Sequence, residues 1–573
     1  MTKHPMNNSA STDQQLDTYI AACESRCGPN DDLPAVILQG QGYHTTMPNG
    51  STVHHTRDAL DYALALFTEG GGESVARAIR IVRRVLEMQD RDICSRSFGI
   101  WPWFFEEPIS AMRPPDWNWA DFIGVRLAHI LRMHGERLPE DLCGDVAKAL
   151  EAAAFSIFRR NVGPEYTNIS VKGGVVTVMA GEQLGQPVLL AYGRRRLARF
   201  LEHTRRHGGF NEYNSPTYGV VVLVEVERGL LLVKDAETRT CLTAIHELCW
   251  RLLAASLHLP TGQICGPHAR SYEDLLRPEY ACLFGAALGE RIFVPSSLTR
   301  GGDGGSFALI PRIPCPEPVR REIRDAPTVR FVRQDYVRTD NPEEQRRGTH
   351  WFGGDACIGS VNLDNLWQQR RPIIGYWRVG DEVAVLRVRL THGGADFASG
   401  SLRTVQEGAE LLSLCSLVTN RADSHDHLDM PPDGIFRFDQ LALSIELSFS
   451  GATVRALKSG GFELSAGDHA VTVSPLHAEF GTYPVVWTTT SEDGKACVRA
   501  VVNDGQPVVL QPAKMKNVGI GFHLALHRVG DSVAVTGRAE VCADSVTLVS
   551  ESPRASLALT APRHPVELRQ IKT

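Results

Sequence analysis

The spacing of apolar residues changes once along this chain of 573 residues. Over residues 57–288, apolar side chains recur every three or four positions, as on one face of an amphipathic helix. Over residues 441–449 and 518–526, large apolar side chains alternate with smaller or polar ones, as in a strand that buries one face. One segment cannot satisfy both periods, so the sequence predicts a helical half followed by a half of antiparallel strands.

The helical half is predicted to be an array of antiparallel helices. Short polar or Gly/Pro-containing breaks separate its amphipathic runs, which cover residues 122–131, 142–157, 171–184, 188–201, 220–232 and 242–257. Many helices in series form either an open solenoid or a closed ring. The sequence carries no repeat signature that would identify a class of solenoid.

Residues 295–328 are crowded with Gly and Pro and interrupt both patterns, which is typical of a domain boundary. We therefore expect an N-terminal extension over 1–50, a helical domain over 51–300 and a linker over 301–327. The strands over 328–573 are too many for one layer, so stacked antiparallel sheets in a β-sandwich are predicted.

Composition narrows the class of protein. The net charge of −6 gives no reason to expect a nucleic-acid or membrane partner. The thirteen Cys form no CxxC pair, which favours reduced, buried side chains over a disulfide framework. The first fifteen residues lack the apolar core of a secretion signal, so a cytoplasmic location is expected, or secretion if a signal has been removed.

The segment GGFNEYNSPTYG, residues 208–219, is the strongest candidate for a functional loop. Glycines at both ends and a proline restrict its shape, and it offers Glu212, Tyr213, Asn214 and Tyr218 between two apolar helices. An ordinary connection between helices is the alternative interpretation.

Two further polar segments flank this loop in sequence. Asn168 opens a helical run after a Gly-Pro break, where an amide either caps the helix or binds an oxyanion. His268 and Arg270 follow Gly266-Pro267, and the forked guanidinium of Arg270 suits a carboxylate. His246 lies within a helical run and is either a catalytic helper or a core histidine.

An aromatic patch over residues 101–124 contains Trp101, Trp103, Trp117 and Trp119. Aromatic rings stack on sugars, so this patch either lines a carbohydrate cleft or plugs one end of the helical domain. The cluster HDHLD at residues 425–429 offers metal-ligand residue types, but a solvated loop is the favoured interpretation. No metal and no organic cofactor are expected.

The order and spacing of these segments resemble those of polysaccharide lyases of the heparinase-like superfamily, such as hyaluronate, chondroitin AC and xanthan lyases. Those enzymes have an aromatic patch with an Asn-Trp pair before an Ile-Gly, then a catalytic Asn, a Gly-x-Phe loop that leads to Tyr-Gly, and a segment containing Arg. The matching positions here are Asn118-Trp119, Ile123-Gly124, Asn168, Gly208-Gly209-Phe210, Tyr218-Gly219 and His268-Ala269-Arg270. The chain departs at Tyr213, where the family has a catalytic His.

The resemblance implies an α/α toroid over 51–300 followed by an antiparallel β-sandwich. It also implies a lyase that cleaves an acidic, uronate-containing polysaccharide by β-elimination. The expected catalytic residues are Asn168, Tyr213, Tyr218, His246, His268 and Arg270. The expected substrate-binding residues are Trp101, Trp103, Trp117, Trp119, Glu212 and Asn214.

Chemistry assigns roles within this set. Removal of the proton next to a carboxylate is helped by an amide and a cation on that carboxylate, for which Asn168 and Arg270 are suited. One Tyr can both remove this proton and protonate the leaving oxygen, and Tyr218 is the first choice, with Tyr213 second. Either His246 or His268 is expected to assist. A free Tyr has a pKa of about 10, so a nearby cation is required.

Two other functions fit the sequence. A glycoside hydrolase would use two carboxylates from the set Glu212, Glu247, Asp274, Glu106 and Asp61. A carbohydrate-binding protein without catalytic activity would keep the aromatic patch but lack a cluster of Asn, Tyr and Arg.

Overall fold

The computed structural model describes residues 12–29, 31–39, 44–298, 310, 312–364, 369–425, 428–458, 460–531 and 533–568. Helices come first and sheets second, as predicted. The helices are α1 Thr12–Glu24, α2 Thr56–Glu69, α3 Gly72–Glu87, α4 Trp119–His134, α5 Glu140–Arg160, α6 Thr167–Gln183, α7 Pro187–His207, α8 Tyr218–Leu232, α9 Ala236–Ser256, α10 Pro278–Leu288 and α11 Glu317–Arg324.

Helices α2 to α9 form two rows. Successive helices pair as α2 with α3, α4 with α5, α6 with α7 and α8 with α9. The even-numbered helices also contact one another in order, and so do the odd-numbered ones from α3 to α9. An inner and an outer row of this kind is the arrangement of an α/α toroid.

The inner row is buried on all sides. Every residue of α6 from Thr167 to Gly181 is buried, and so is most of α8. A helix surrounded by other helices needs no polar face, so most of its residues are apolar or small, and a buried charge such as that of Lys172 is paired, here with Glu225 at 2.8 Å. The functional candidate Asn168 lies in the first turn of such a helix.

The regions outside the predicted helical domain also contain structure. Helix α1, in the predicted N-terminal extension, packs on α2 and supplies Tyr19 and Cys23 to the main core. Helix α11, in the predicted linker, packs on α9, where Arg251 forms an ion pair with Glu322 at 3.1 Å. Residues 301–309 and 311 of the linker lie outside the described residues.

Strands in the helical half are short and pair antiparallel, β1 with β2 and β3 with β4. They are β1 Val36–Ile37, β2 Thr52–Val53, β3 Leu257–His258 and β4 Gln263–Ile264. No parallel sheet occurs before residue 295 in the part of the chain that the structure describes, which agrees with the predicted helical half.

The second half is built from eighteen strands among the described residues. They are β5 Val329–Val337, β6 Arg346–Gly353, β7 Ala356–Val361, β8 Ile373–Val379, β9 Glu382–His392, β10 Ala395–Asp396, β11 Gly400–Glu407, β12 Glu410–Leu417, β13 Phe436–Ser448, β14 Thr453–Ala456, β15 Phe462–Ala466, β16 His469–Phe480, β17 Val486–Glu492, β18 Lys495–Leu510, β19 Val518–Arg528, β20 Thr536–Val541, β21 Ser545–Glu551 and β22 Ser556–Pro562.

These strands form three antiparallel sheets. A nine-stranded sheet has the order β17-β18-β13-β9-β8-β7-β6-β5, with β10 added beside β9. A six-stranded sheet has the order β11-β12-β19-β16-β15-β14, and β20, β21 and β22 form the third sheet. The alternating apolar residues of β13 and β19 share one buried core between the two large sheets, as the sequence pattern predicted.

The helical and sandwich domains are joined by backbone contacts beside the functional loop. His268 and Arg371, which precedes β8, form an antiparallel bridge. The backbone N–H of Ser271 donates to the carbonyl oxygen of Gln369 at 2.7 Å. Further along, Tyr213 stacks on Tyr336 of β5, with ring centroids 4.2 Å apart. The sandwich therefore fixes the position of the segment that carries Arg270.

Candidate functional site

A buried carboxylate, that of Glu212, connects two of the predicted catalytic residues. The side-chain amide of Asn168 donates to Glu212 Oε2 at 2.7 Å, and the backbone N–H of Asn168 donates to the same oxygen at 2.9 Å. Arg270 Nη1 donates to Glu212 Oε1 at 3.0 Å. All three side chains are buried. The structure thus brings Asn168 and Arg270 to one carboxylate, while the prediction that they face a substrate cleft with Tyr218 stays a prediction.

The start of α6 explains why a carboxylate is stable here. The first backbone N–H groups of a helix lack partners within the helix and carry partial positive charge. The Glu212 carboxylate accepts a hydrogen bond from one of these N–H groups, that of Asn168. The backbone N–H of Glu212 in turn donates to Thr167 Oγ1 at 3.2 Å. The loop over 208–219 is thereby tied to the end of an inner-row helix.

Tyr218 joins the same cluster through Arg270. The guanidinium carbon of Arg270 lies 4.2 Å from the centroid of the Tyr218 ring. Ser215 Oγ accepts a hydrogen bond from the Tyr218 backbone N–H at 2.9 Å and donates to the carbonyl oxygen of Arg270 at 2.5 Å. The cluster of Asn168, Glu212, Arg270 and Tyr218, here called the Asn–Glu–Arg–Tyr cluster, is therefore continuous.

Burial raises the pKa of the Tyr218 phenol well above its ordinary value of 10.0, and Arg270 opposes this rise. Tyr272 and Glu212 add to the increase. Arg270 therefore favours the ionised phenol, but burial has the larger effect, so the net shift of the Tyr218 pKa is upward.

Tyr272 is a neighbour of Tyr218 that the sequence did not single out. The two phenolic oxygens are 2.7 Å apart, which is the distance of a good hydrogen bond. Tyr272 is 53% exposed, and it also interacts electrostatically with Arg57. Tyr272 lies two residues after Arg270 in the same polar loop, and this position could have marked it as a candidate from the sequence. The hydrogen bond connects the Tyr218 hydroxyl to an exposed side chain.

Gln369 is a second residue that sequence reasoning missed. Its side-chain oxygen accepts a hydrogen bond from Arg270 Nε at 3.0 Å. Gln369 belongs to the sandwich domain, between β7 and β8, so no local pattern linked it to the functional loop. Arg270 is therefore held by both domains.

Tyr213 and Asn214 contact the sandwich domain. Tyr213 is buried in its stack with Tyr336, and the Asn214 side-chain amide donates to the Tyr336 hydroxyl at 2.9 Å. Asn214 has a φ of 44°, in the left-handed region that Asn tolerates better than most residues. The observed contacts of both side chains are those of domain docking.

The two histidines occupy different places. His268 is buried in the loop over residues 265–277, here called the docking loop because it contacts the sandwich domain. Its Nε2 lies 2.9 Å from the carbonyl oxygen of Ile264, and burial lowers the pKa of His268 to about 4. His246 is buried on α9, where it accepts a hydrogen bond from Trp250 Nε1 at 3.2 Å and lies 3.6 Å from Glu227. The contacts of His246 are with core residues of the helical domain.

The tryptophans form two groups. Trp101 is fully buried, with its Nε1 donating to the carbonyl oxygen of Val85 at 3.0 Å. Its ring offers no surface to a sugar, so we correct the expected binding role of Trp101 to one in the core. Trp103 and Trp119 pack at a centroid distance of 5.3 Å, and Trp117 is half-buried beside them in sequence.

The other carboxylates proposed for a hydrolase are engaged in ion pairs elsewhere. Asp61 pairs with Arg126, and Asp274 pairs with both Arg371 and Arg387. Glu247 likewise pairs with Arg251, and Glu106 contacts the ring and the backbone N–H of His54. Glu212 is the member of this set that lies in the cluster.

The predicted loop over 425–429 is described only in part, because residues 426 and 427 lie outside the described residues. The Asp429 carboxylate accepts hydrogen bonds from the backbone N–H groups of Ser424 and His425 at 2.8 and 3.0 Å. Within the described ranges, no three His, Cys, Asp or Glu side chains are grouped to hold a metal ion. The described helices also include none with the length and apolarity of a membrane span.

Comparison with known proteins gives one family and several similar folds. Residues 39–290 match a family described as a domain of unknown function, DUF8769. No curated protein matches the sequence. The structure is similar to that of heparinase III, with 9% identity, coverage of 98% of this chain and 94% of that chain, and a TM-score of 0.46.

Two other similar structures are also lyases by name. A heparan sulfate lyase HepC mutant from Pedobacter heparinus has 8% identity, coverage of 96% and 95%, and a TM-score of 0.37. Chondroitin AC lyase from Streptomyces coelicolor A3, in complex with chondroitin sulphate, has 11% identity, coverage of 92% and 98%, and a TM-score of 0.35.

Proposed function

We propose that this protein is a polysaccharide lyase that cleaves a uronate-containing glycan by β-elimination, with Tyr218 as the proton carrier. The observation that supports this most is the continuity of the Asn–Glu–Arg–Tyr cluster. An amide and a guanidinium from two separate segments meet at one carboxylate, and a tyrosine ring from a third segment packs against that guanidinium. These are the groups that proton removal next to a carboxylate requires.

Asn168 and Arg270 are proposed to stabilise the negative charge that develops on the substrate. Both already donate hydrogen bonds to a carboxylate, that of Glu212, which supports their suitability for this chemistry. Glu212 is proposed as a positioning residue, because it orients the two donors toward a common centre and balances the charge of Arg270. A substrate carboxylate would share these donors with Glu212 as charge builds up on it.

Tyr218 and Tyr272 are proposed to act as a pair. When Tyr218 loses its proton, a hydrogen bond from Tyr272 and the guanidinium above the ring both stabilise the phenolate. Tyr218 then removes the substrate proton and delivers a proton to the leaving glycosidic oxygen. The exposed Tyr272 exchanges protons with solvent.

A glycoside hydrolase is the second candidate, favoured by the central place of Glu212. Against it, hydrogen bonds from Asn168 and Arg270 occupy both Glu212 oxygens, and a hydrolase needs a second carboxylate in the same site, whereas Asp61 and Asp274 pair with arginines elsewhere. The product distinguishes the two reactions: elimination leaves a C4–C5 double bond, whereas hydrolysis leaves a saturated sugar.

The test is an ultraviolet absorbance assay for the unsaturated uronate, with the wild-type protein and a panel of uronate polymers. We expect one polymer to give an absorbing product and Tyr218→Phe to abolish it, because the ring remains but the proton carrier is lost. Glu212→Gln is the matched comparison. If Tyr218→Phe stays active while Glu212→Gln is inactive and the product is saturated, the protein is a hydrolase and the proposal is wrong.

A further inference from the structure

A cavity of about 310 Å³ lies on the helical domain, outside the Asn–Glu–Arg–Tyr cluster. It is bounded by the end of α5, the start of α6 and the middle of α7. Residues from each of these helices form its wall, including Phe158, Asn161, Ser170, Tyr192, Arg195 and Arg199. The volume is in the range of small-molecule sites.

Two arginines at this cavity have no counter-ion among the residues that the structure describes. Arg195 and Arg199 lie one turn apart on α7 and are exposed, and neither forms an ion pair or hydrogen bond with another described residue. Their neighbour Arg194, by contrast, pairs with Asp235 and Glu237. Unpaired guanidinium groups at a concave surface are suited to binding an oxyanion.

A third arginine, Arg196, forms a buried part of the same wall. Its guanidinium donates to the carbonyl oxygens of Ser170 and Ile169 at 2.9 and 3.0 Å, and to the Tyr192 hydroxyl at 2.8 Å. Tyr192 in turn donates to Asn161 Oδ1 at 3.2 Å. The wall is therefore held in place by a chain of hydrogen bonds.

Ser170 adds an observation that is independent of the charges. It is 1% exposed and lines the cavity, and its Oγ has no hydrogen-bond partner among the described residues. Buried hydroxyl groups normally have a partner, so the wall of this cavity retains unused hydrogen-bonding capacity.

One side of the cavity is apolar. Phe158 is 40% exposed and meets Tyr192 edge to face, at a centroid distance of 4.9 Å. Val162 and Pro164 continue this side. A partly exposed aromatic ring beside two guanidinium groups fits a ligand that has both C–H groups and a charged substituent.

We infer that this cavity is a second binding site, which takes a sugar ring bearing a tetrahedral oxyanion, either a sulfate or a phosphate ester. Arg195 and Arg199 bind the oxyanion, and Phe158 and Tyr192 contact the ring. The inference goes beyond the proposed lyase activity and does not depend on it, since no residue of the cluster forms this wall.

Isothermal titration calorimetry with the full chain tests the inference with four probes: glucose 6-sulfate, glucose 6-phosphate, glucose and inorganic sulfate. We expect saturable binding of one or both esters, at least tenfold tighter than binding of glucose or of inorganic sulfate. Tighter binding of glucose 6-sulfate would identify a sulfated glycan as the ligand, and tighter binding of glucose 6-phosphate would identify a sugar phosphate. Added salt should weaken the binding, because exposed guanidinium groups are screened.

The matched variants are Arg195→Ala/Arg199→Ala and Arg205→Ala. Arg205 is an exposed arginine on the same helix that does not line the cavity, so it controls for loss of charge. The double variant should weaken ester binding at least tenfold, and Arg205→Ala should change it less than twofold. Ser170→Ala, which removes a single oxygen, should weaken it severalfold with unchanged thermal stability.

Three results would overturn the inference. One is the absence of saturable ester binding to the wild-type protein. Another is equal affinity in the double variant and in Arg205→Ala. The third is binding of inorganic sulfate as tight as that of the esters, since the apolar wall would then contribute nothing. Tyr218→Phe should bind the esters like the wild type, which separates this site from the cluster.

Discussion

At the scale of single residues, Glu212 brings together donors from two segments that are far apart in sequence. Its two oxygens receive the amide and backbone N–H of Asn168 and the guanidinium of Arg270. A buried carboxylate needs such partners, because burial without them costs several kcal/mol, of the order of 5. The orientation of both donors therefore depends on this one side chain.

Asn168→Ala removes the amide from the cluster. If Asn168 stabilises charge that develops in the reaction, kcat should fall by about 10²–10³, or about 3–4 kcal/mol, as for an oxyanion donor. Substrate affinity should change less, because the interaction strengthens mainly in the transition state. Steady-state kinetics and a thermal melt check this, and a rise in KM alone would contradict it.

Arg270→Met removes the positive charge beside the Tyr218 ring. Arg270 opposes the rise in the pKa of Tyr218, so without it this pKa should rise further. A base acts in its ionised form, and the pH at which activity appears should therefore move upward. Arg270→Lys, which keeps the charge, should show a smaller shift. A kcat/KM profile that stays in place or moves to lower pH in Arg270→Met would rule out this role.

The sequence indicated some of these residues and not others, for physical reasons. Glu212 and Arg270 are polar residues in loops, and Asn168 and Tyr218 open the apolar helices that follow such loops, so all four were visible without a structure. Gln369 was not, because its contact with Arg270 arises only when the two domains dock.

At the scale of elements, the periodicity predicted where the helices lie. The apolar runs 142–157 and 188–201 fall within α5 and α7 of the outer row. The same spacing could not show that α6 is buried on all sides, because burial by neighbouring helices is a property of the ring. Helices α1 and α11 lay in segments that we interpreted as an extension and a linker.

The contact between β7 and the docking loop leaves no space for a side chain at Gly359. A Cβ at that position would lie 1.7 Å from the carbonyl oxygen of Gly266, four residues before Arg270. Gly359→Ala must therefore displace the loop, and we expect a lower melting temperature and loss of activity.

Gly144→Ala in α5 is the matched control for this substitution. A Cβ at Gly144 meets no atom within 4 Å, so alanine there should leave activity unchanged. It should also stabilise the protein by about 0.5–1 kcal/mol, because glycine is unfavourable within a helix. Equal melting temperatures in the two variants would contradict the close packing at Gly359.

At the scale of the whole molecule, buried histidines predict how stability depends on pH. Burial lowers the pKa of four of them from 6.5 to about 4, namely His134, His207, His268 and His350. Between these values the unfolded chain binds protons that the folded chain does not. Stability from these groups is therefore present above pH 6.5 and is lost as the pH falls toward 4.

Asp121 acts in the opposite direction, because burial raises its pKa from 3.8 to about 6. The folded chain then holds a proton that the unfolded chain releases, which favours folding as the pH falls through 6. Burial also raises the pKa of Asp364, and these two carboxyl groups against four histidines leave a net loss of stability on acidification. Urea unfolding at about pH 7 and at about pH 5 measures this difference in the free energy of unfolding. Equal or greater stability at the lower pH would contradict this prediction.

Because Arg270 contacts both domains, its surroundings are completed late in the synthesis of the chain. Gln369 follows Arg270 by 99 residues, and a chain is made from its N-terminus. At about 5–20 residues per second, roughly 5–20 s pass between synthesis of the two partners. During that interval the newly made helical half holds Asn168, Glu212 and Arg270 but lacks Gln369. The nascent protein is therefore expected to remain inactive on the ribosome until its last-made half has folded against the first.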